Sequence, residues 1–377
     1  SDEHHIDVPL TVAPGSVIEV DLVRVDRTPA SASGAAEYVE LGNLGPTSLT
    51  TLHISAPTGE QPHVSERGLP AGMHREHAVA NGRETWTYAL GPTDLPPREW
   101  DGVAGTVQFP LVGISTIPAW STVARELGAG IDRQIAAGPP AWPAEIATTP
   151  TLETARAITQ WVRGHVRLHG LAPDDTAFRA ATPADVLAGR ASDRLSIAAL
   201  TCALLRRAGL RAEVALTLRG LAEPGLASFE LETPVVRAKI GGSDVWIDPV
   251  HEHVPVGRLA KELHGRRVLV LGDTPAPLVT TPSTSAAENE LRELRTFDAP
   301  PTGFVNVTEV DRATGDLAVV ARDRFAGAAA ARAADLASRR YTGELVSFVG
   351  PSSDIDAHAE TTLVLRGTHR GASQRDR

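Results

Sequence analysis

The chain has 377 residues, a formal net charge of −10 and 42% hydrophobic residues, values that are ordinary for a soluble globular protein of two or three domains. The acidic balance and the lack of a basic stripe argue against nucleic acid as a main partner. The single cysteine excludes an internal disulfide framework, and no apolar run is long enough for a transmembrane segment.

Short runs of alternating apolar residues occupy the first third of the chain. They lie at 16–26, 35–44, 84–91 and 105–115. Because segments rich in Pro, Gly and Asp separate these runs, the pattern predicts an antiparallel β-sandwich. Pro118 then precedes an amphipathic helical pattern, and a Pro-rich connection follows it. This change of pattern places the end of a first domain, residues 1–145, at the connection.

Helical periodicity dominates the start of a second predicted domain, residues 146–272. Thr151 is the expected N-cap of its first helix. A short helix ends at Gly189, and a third helix presents one apolar stripe and ends before Gly209, where a left-handed C-terminal cap is expected. Three strands are predicted to follow, at 211–220, 234–242 and 243–250.

The third predicted domain covers residues 273–377. Its pattern indicates a linker, a hairpin of two strands, one alanine-rich helix and a final strand. These elements lie at 281–290, 303–311 with 317–325, 326–343 and 359–367. The polar tail after residue 367 is predicted to be disordered or cut from a longer protein.

Four motifs carry a resemblance to a known family. They are GISTIPAWSTVARE at 113–126, AITQWVRGHVRL at 157–168, the segment TPADVLAGRASDRL…EVALT at 182–217, and DVWIDPVHEHVPVGRL at 244–259. In this order and spacing they resemble the bacterial transglutaminase-like, papain-type core. More narrowly, the chain resembles proteins in which an N-terminal β-domain of the DUF3857 type precedes that core.

The resemblance implies a fold class and a catalytic arrangement. The fold is α+β: an antiparallel β-sandwich, a central transglutaminase-like (cysteine-protease-type) core, and a smaller C-terminal β-rich domain with one helix. The chemistry needs a cysteine at the N-terminus of a buried helix, a histidine on a neighbouring strand and a carboxylate on the next strand. Aligned on Gly189 and Asp193, the family pattern places Ala191 at the nucleophile position. Asp248 matches the carboxylate, and Thr233 stands where the histidine is expected.

Two interpretations of the residues at the start of the third predicted helix stay open. In the first, an active hydrolase or acyltransferase uses Ser192 as nucleophile, with His165 or His169 on the preceding helix as base. In the second, Ser192 is the helix N-cap and Asp193 is an acidic residue of the first turn. The second interpretation needs no catalytic geometry and is favoured.

A possible metal site lies directly after the third strand. His251 and His253 are two residues apart, so on a strand they would share a face and could bind a metal. The sequence offers no third ligand beside them. An exposed loop after the strand is therefore favoured over a metal site.

Loss of two of the three catalytic groups predicts a non-catalytic role. The groove that holds the substrate in the family would bind a peptide, a protein or an amine-bearing ligand without turning it over. Trp161, Asp193 and Trp246 are candidates to line this groove. Cys202 falls on the apolar stripe of the third helix, which indicates a small core residue. No cofactor is expected, and the resemblance implies an extracytoplasmic location.

Overall fold

The computed structural model describes residues 31–42, 46–92, 109–170, 178–220, 222–274, 276–301 and 305–367. The strand predicted at 16–26 and the polar tail lie outside these ranges. Within them, no helix combines the length and the apolar character that crossing a membrane requires.

The N-terminal region is built from antiparallel strands. Six strands form two three-stranded sheets with the orders β1-β6-β3 and β2-β5-β4. Leu41, Tyr88 and Val112 belong to one apolar cluster to which both sheets contribute, so the two sheets face each other as in a β-sandwich. The strands are β1 (Ala36–Glu40), β2 (Thr50–Pro57), β3 (His63–Arg67), β4 (His74–Ala80), β5 (Arg83–Leu90) and β6 (Leu111–Ser115).

The central region alternates helices with short strands before a larger sheet begins. The Thr151 side chain accepts a hydrogen bond from the Thr154 amide, which confirms the predicted cap, and Thr182 caps the short helix that follows in the same way. The elements are α1 (Trp120–Ala137), α2 (Leu152–His165), β7 (Arg167–Leu168), α3 (Pro183–Gly189), β8 (Ala191–Ser192) and α4 (Arg194–Arg207).

Helix α4 is the centre of the core. Every residue from Leu195 to Leu205 is at most 5% exposed, so α4 is covered on all sides and the single predicted stripe is wrong. The helix packs against a five-stranded sheet of order β11-β10-β9-β12-β13. Gly209 follows α4 with φ +84°, a left-handed conformation that confirms the expected C-terminal cap. The strands are β9 (Arg211–Leu218), β10 (Leu231–Ile240), β11 (Ser243–Ile247), β12 (Arg267–Val270) and β13 (Leu278–Thr280).

The C-terminal region is an antiparallel sheet of order β14-β15-β17-β16 with two helices on it. The strand predicted at 317–325 is wrong, because this segment is helical. Ala318, Arg322 and Phe325 are buried at helical spacing, which the apolar run Leu-Ala-Val-Val obscured. The described part of this region therefore has two helices where one was predicted. Its elements are β14 (Leu291–Asp298), β15 (Asn306–Ala313), α5 (Gly315–Phe325), α6 (Ala329–Arg340), β16 (Glu344–Val349) and β17 (Ala359–Arg366).

Candidate functional site

The N-terminus of α4 is capped by Asp193. The Asp193 carboxylate accepts hydrogen bonds from the Ser196 amide at 2.9 Å and from the Ser196 hydroxyl at 2.6 Å. The prediction that Ser192 caps the helix, with Asp193 in its first turn, is therefore wrong. Ser192 lies on β8, where its carbonyl accepts a hydrogen bond from the His169 amide, so the chain is still extended at this residue. The helix begins one residue later than expected.

Ala191 does not lie at the helix N-terminus. It is exposed on β8, opposite Arg167, and the first residue of α4 is Arg194. The residue that the resemblance assigns to the nucleophile therefore precedes the helix by three positions, and Arg194 occupies the helix N-terminus. A guanidinium there carries positive charge at the positive end of the helix dipole, where an anion is preferred.

Asp248 lies directly after β11 and is 2% exposed. Its Oδ1 accepts hydrogen bonds from the amides of Val250 at 2.9 Å and His251 at 3.0 Å. The buried carboxylate therefore binds two backbone amides of the turn that follows it. In addition, the His251 Nδ1 donates to Asp248 Oδ2 at 2.8 Å, a contact that the sequence reasoning missed. The spacing of three residues across Pro249 was its signal, because an Asp side chain commonly closes such a turn.

The Asp248–His251 pair shifts both pKa values. The pKa of His251 is raised, chiefly by the hydrogen bond to the Asp248 carboxylate. Burial opposes ionisation of Asp248, but the hydrogen bonds and charge of His251 outweigh it, and the pKa of Asp248 is lowered. The Nε2 of His251 lies 3.4 Å from a Glu262 oxygen, and the charge of Arg194 reaches the imidazole and opposes its protonation. His251 is therefore close to the N-terminus of α4.

Thr233 does not make the hydrogen bond to Asp248 that the histidine of the family would make. It lies on β10 beside an irregularity in the pairing between Leu231 and Pro234, and its amide donates to the Thr217 hydroxyl at 3.0 Å. The imidazole bound to Asp248 comes from the loop after β11 and not from β10.

The side chains of the alternative catalytic site, Ser192 with His165 or His169, are not hydrogen-bonded to one another. His165 ends α2, stacks on Trp161 with ring centroids 4.2 Å apart, and makes its hydrogen bond with the Trp161 carbonyl. His169 lies beyond α2, after β7, so its predicted place on that helix is wrong. In the described part of the chain, no histidine ring is hydrogen-bonded to a serine hydroxyl.

The predicted groove residues are also separated. Trp246 is buried in one apolar cluster with Val254 and Leu259, whereas Trp161 packs against a different cluster, the main core. Asp193 is occupied as the cap of α4. The three residues therefore do not form one wall.

Arg163 fastens the loop that carries Asp248 and His251. This arginine of α2 donates from Nη2 to the carbonyl oxygens of Asp248 at 2.6 Å and Val254 at 2.8 Å, and from Nη1 to that of Glu252 at 3.2 Å. Burial lowers its pKa to about 10, so the guanidinium stays charged near neutral pH. The sequence carried no signal for this contact, because α2 and the loop are far apart along the chain.

The proposed metal ligands His251 and His253 have separate partners. His251 binds Asp248, and the His253 Nδ1 donates to Asp323 on α5 at 2.6 Å, so the pair lies on a loop and does not share a strand face. Among the described residues, one group of three possible ligands exists elsewhere, Glu293, Glu309 and Asp311. Arginine side chains already bind its buried Glu309, so the group is explained by ion pairs.

We expect the Asp248–His251 pair to stabilise the fold more at mildly acidic than at mildly alkaline pH. Because the pKa of His251 is raised, its contribution is complete below the ordinary value of about 6.5 and is lost as pH rises through the folded value. The lowered pKa of Asp248 removes the contribution only in stronger acid. The loss of unfolding free energy in His251→Gln, measured with urea, should be larger at about pH 5.5 than at about pH 8.5.

The exposed His63 serves as the matched control for this measurement. The free energy of unfolding of His63→Gln should differ little from that of wild type, because the side chain is exposed. An equal loss at both pH values in His251→Gln would show that the pair contributes no charge interaction.

The chain is similar to one protein family and to two solved structures. Residues 140–248 match the family model of the transglutaminase-like superfamily. The chain is similar to a candidate protease from Parabacteroides distasonis, with a TM-score of 0.50 and 14% identity over 90% of this chain and 70% of that one. A candidate cysteine protease from Cytophaga hutchinsonii aligns over 57% of this chain and 74% of its own, with 13% identity and a TM-score of 0.22. No curated protein matches the sequence.

At 14% identity the likeness to the first structure establishes a shared fold alone. The family match extends through α2, α3, α4 and the strands β9 to β11, and it ends at Asp248. The order of these elements is the one that the four sequence motifs predicted. Residues 140–248 of this chain therefore form a transglutaminase-like domain.

Proposed function

We propose that the transglutaminase-like domain is a binding module that no longer performs thiol catalysis. Its ligand would be a peptide, a protein or an amine-bearing molecule, held near the N-terminus of α4 without covalent turnover. The observation that carries the proposal is the position of the single cysteine. Cys202 lies in the interior of α4, two turns beyond its first residue, and is fully buried.

Cys202 has the properties of a structural thiol. Its Sγ donates to the Ala212 carbonyl oxygen at 3.2 Å, and burial raises its pKa to about 12. A cysteine nucleophile reacts as the thiolate, and a buried thiol with a raised pKa supplies almost none near neutral pH. The residue that begins α4, Arg194, cannot replace it because a guanidinium is not a nucleophile.

A second candidate function rests on the Asp248–His251 pair. A carboxylate that holds Nδ1 of an imidazole is the arrangement that orients a general base, so a hydrolase that activates water through His251 Nε2 is the alternative. Against it, Nε2 lies 3.4 Å from a Glu262 oxygen, and no hydroxyl or thiol of the described residues is hydrogen-bonded to it.

The test uses dansylcadaverine and dimethylcasein as amine and protein probes with the full chain. The proposal expects saturable, reversible binding of at least one probe, with no fluorescent label joined covalently to the casein and no release of ammonia or peptide. Iodoacetamide treatment of the native protein should leave Cys202 unmodified and binding unchanged. Covalent incorporation, or hydrolysis that disappears in His251→Gln, would contradict the binding module, as would the absence of binding to either probe.

A further inference from the structure

A cavity of about 450 Å³ lies between the transglutaminase-like domain and the C-terminal region. Arg163 on α2 and the loop residues Glu252 and His253 form one wall. The end of α5 and the loop 350–355 form the other. The volume is in the range that holds a small organic ligand or the end of a peptide. No residue of α4 lines the cavity, so binding of a ligand there is independent of the proposed function.

Arg322 is the central polar group of this cavity. Arg322 lines the cavity, and only 3% of the residue is exposed to solvent. Nε donates to the Ser352 carbonyl at 3.2 Å, and Nη2 donates to those of Asp354 at 2.6 Å and Ala357 at 2.8 Å. These bonds hold the guanidinium rigidly, yet Nη1 has no hydrogen-bond partner in the described part of the chain. A buried, fixed cation with two unused donors on one nitrogen therefore borders an open space.

The charge of Arg322 is not neutralised by a close carboxylate. Among the residues described, none has a carboxylate oxygen within 4.0 Å of this guanidinium, and the same holds for Arg163 on the opposite wall. Burial lowers the pKa of Arg322, and the more distant Asp354 and Asp356 oppose that shift only in part. Because buried charges are costly without a counter-charge, two such cations beside one cavity favour an anionic guest.

The remaining surface of the cavity has both polar side chains, those of Gln160, Ser352 and Ser353, and apolar ones. Phe325 contributes its ring, which is held by Phe348 at a centroid distance of 4.9 Å, and small apolar side chains continue the surface from there. His253 and Glu252 also border the cavity, but the His253 ring is hydrogen-bonded to Asp323, and Glu252 is exposed to solvent. An anion with an apolar body can therefore place its charge at Arg322 and its body against Phe325.

We propose that this cavity is a binding site for a carboxylate that carries an apolar or aromatic substituent. A guanidinium binds a carboxylate through charge-assisted N–H···O bonds, which match the free Nη1 of Arg322 better than any neutral acceptor. Two sources have this chemistry, the C-terminal residue of a peptide and a free carboxylic acid of similar size. Both would leave the three carbonyl contacts of Arg322 in place.

Isothermal titration calorimetry of the full chain tests the site with N-acetylphenylalanine and its C-terminal amide. The acid should bind and the amide should bind at least about tenfold more weakly, because only the acid presents an anion to Arg322. A tetrapeptide that ends in Phe with a free carboxylate distinguishes the sources. Tighter binding of the peptide than of the acid assigns a peptide C-terminus, and the reverse assigns a free acid. Equal binding of acid and amide, or no binding of either, overturns the proposal.

A matched pair of variants locates the site. Ala329 lines the cavity at the first position of α6, whereas the next residue, Ala330, is exposed and does not line it. A glutamate suits the first turn of a helix at either position, so both variants should fold. Ala329→Glu should weaken binding of the acid at least about tenfold through charge repulsion and lost space, and Ala330→Glu should leave it unchanged. Arg322→Gln should also abolish binding, but it releases the loop as well. Equal affinities in the two alanine variants would place the ligand elsewhere.

Discussion

Replacing Arg163 by methionine should lower the free energy of unfolding by about 3 kcal/mol, although the two side chains have similar length. The variant leaves three carbonyl oxygens, those of Asp248, Glu252 and Val254, without the donors that bind them in the native chain. A hydrogen bond to a charged donor contributes about 1.5–3 kcal/mol, and an acceptor left unpaired in a buried place has a further cost. Part of this loss is offset because methionine no longer requires burial of a charge.

The same variant should disturb the Asp248–His251 pair. Arg163 holds both sides of the loop that carries these residues, so its removal frees the imidazole to leave the carboxylate. We therefore expect the raised pKa of His251 to return toward the ordinary value of about 6.5, which NMR titration of the ring protons measures. A general loss of stability without this pKa change would show that Arg163 supports the fold but does not position His251.

Arg167→Met is the matched control for the urea denaturation. Arg167 is exposed on β7, four residues from Arg163, and its side chain has no hydrogen bond or ion pair in the described structure. Its replacement should change the free energy of unfolding by no more than about 0.5 kcal/mol. If the two methionine variants are equally stable, the carbonyl contacts of Arg163 contribute nothing measurable.

The succession of elements in the transglutaminase-like domain could be predicted because each element has a local signal. Thr151 and Thr182 accept hydrogen bonds from amides three residues ahead, and Gly209 adopts the left-handed conformation that ends α4. These interactions span a few residues, so the sequence around each position contains both partners. The same locality explains why the strands from β9 to β11 were predicted near their observed positions.

The residue at which α4 begins could not be predicted in the same way. Ser192 and Asp193 are both good N-caps, and local preferences do not choose between them. The choice follows from the pairing of β8 with β7, which places Ser192 opposite Leu168 and keeps it extended. That contact joins residues far apart in the sequence. Consequently Ala191 lies on β8, three residues before the first residue of α4, although the helix itself was predicted correctly.

The partner of Asp248 was missed for a different reason. The resemblance directs attention to β10, where the family has its histidine and this chain has Thr233. The imidazole that binds Asp248 is only three residues away, at His251, in the turn that the carboxylate itself closes. A local signal was present here but was interpreted as a possible metal ligand. The C-terminal helix α5 was missed similarly, because an apolar run of four residues fits a strand as well as a buried helix face.

Introducing cysteine at the first position of α4, as Arg194→Cys, should create a thiol that iodoacetamide alkylates about tenfold faster near neutral pH than the thiol of Ala191→Cys. At the first position, the helix dipole and the unpaired amides stabilise a thiolate. Ala191 is exposed on β8, outside the helix, so a thiol there should have ordinary reactivity. Mass spectrometry of the two modified proteins measures both rates, and buried Cys202 should remain unmodified in each.

His251 should contribute to the reactivity of the Arg194→Cys variant. Its raised pKa keeps a larger fraction of the imidazole protonated near neutral pH, and its electrostatic interaction with Arg194 shows that the two positions are close. Adding His251→Gln should therefore slow alkylation of that variant but leave the Ala191→Cys variant unaffected. Equal rates for the two single-cysteine variants would mean that the start of α4 no longer stabilises an anion. The helix would then serve for packing alone, and the position of Arg194 would lack the anion stabilisation that thiol catalysis requires.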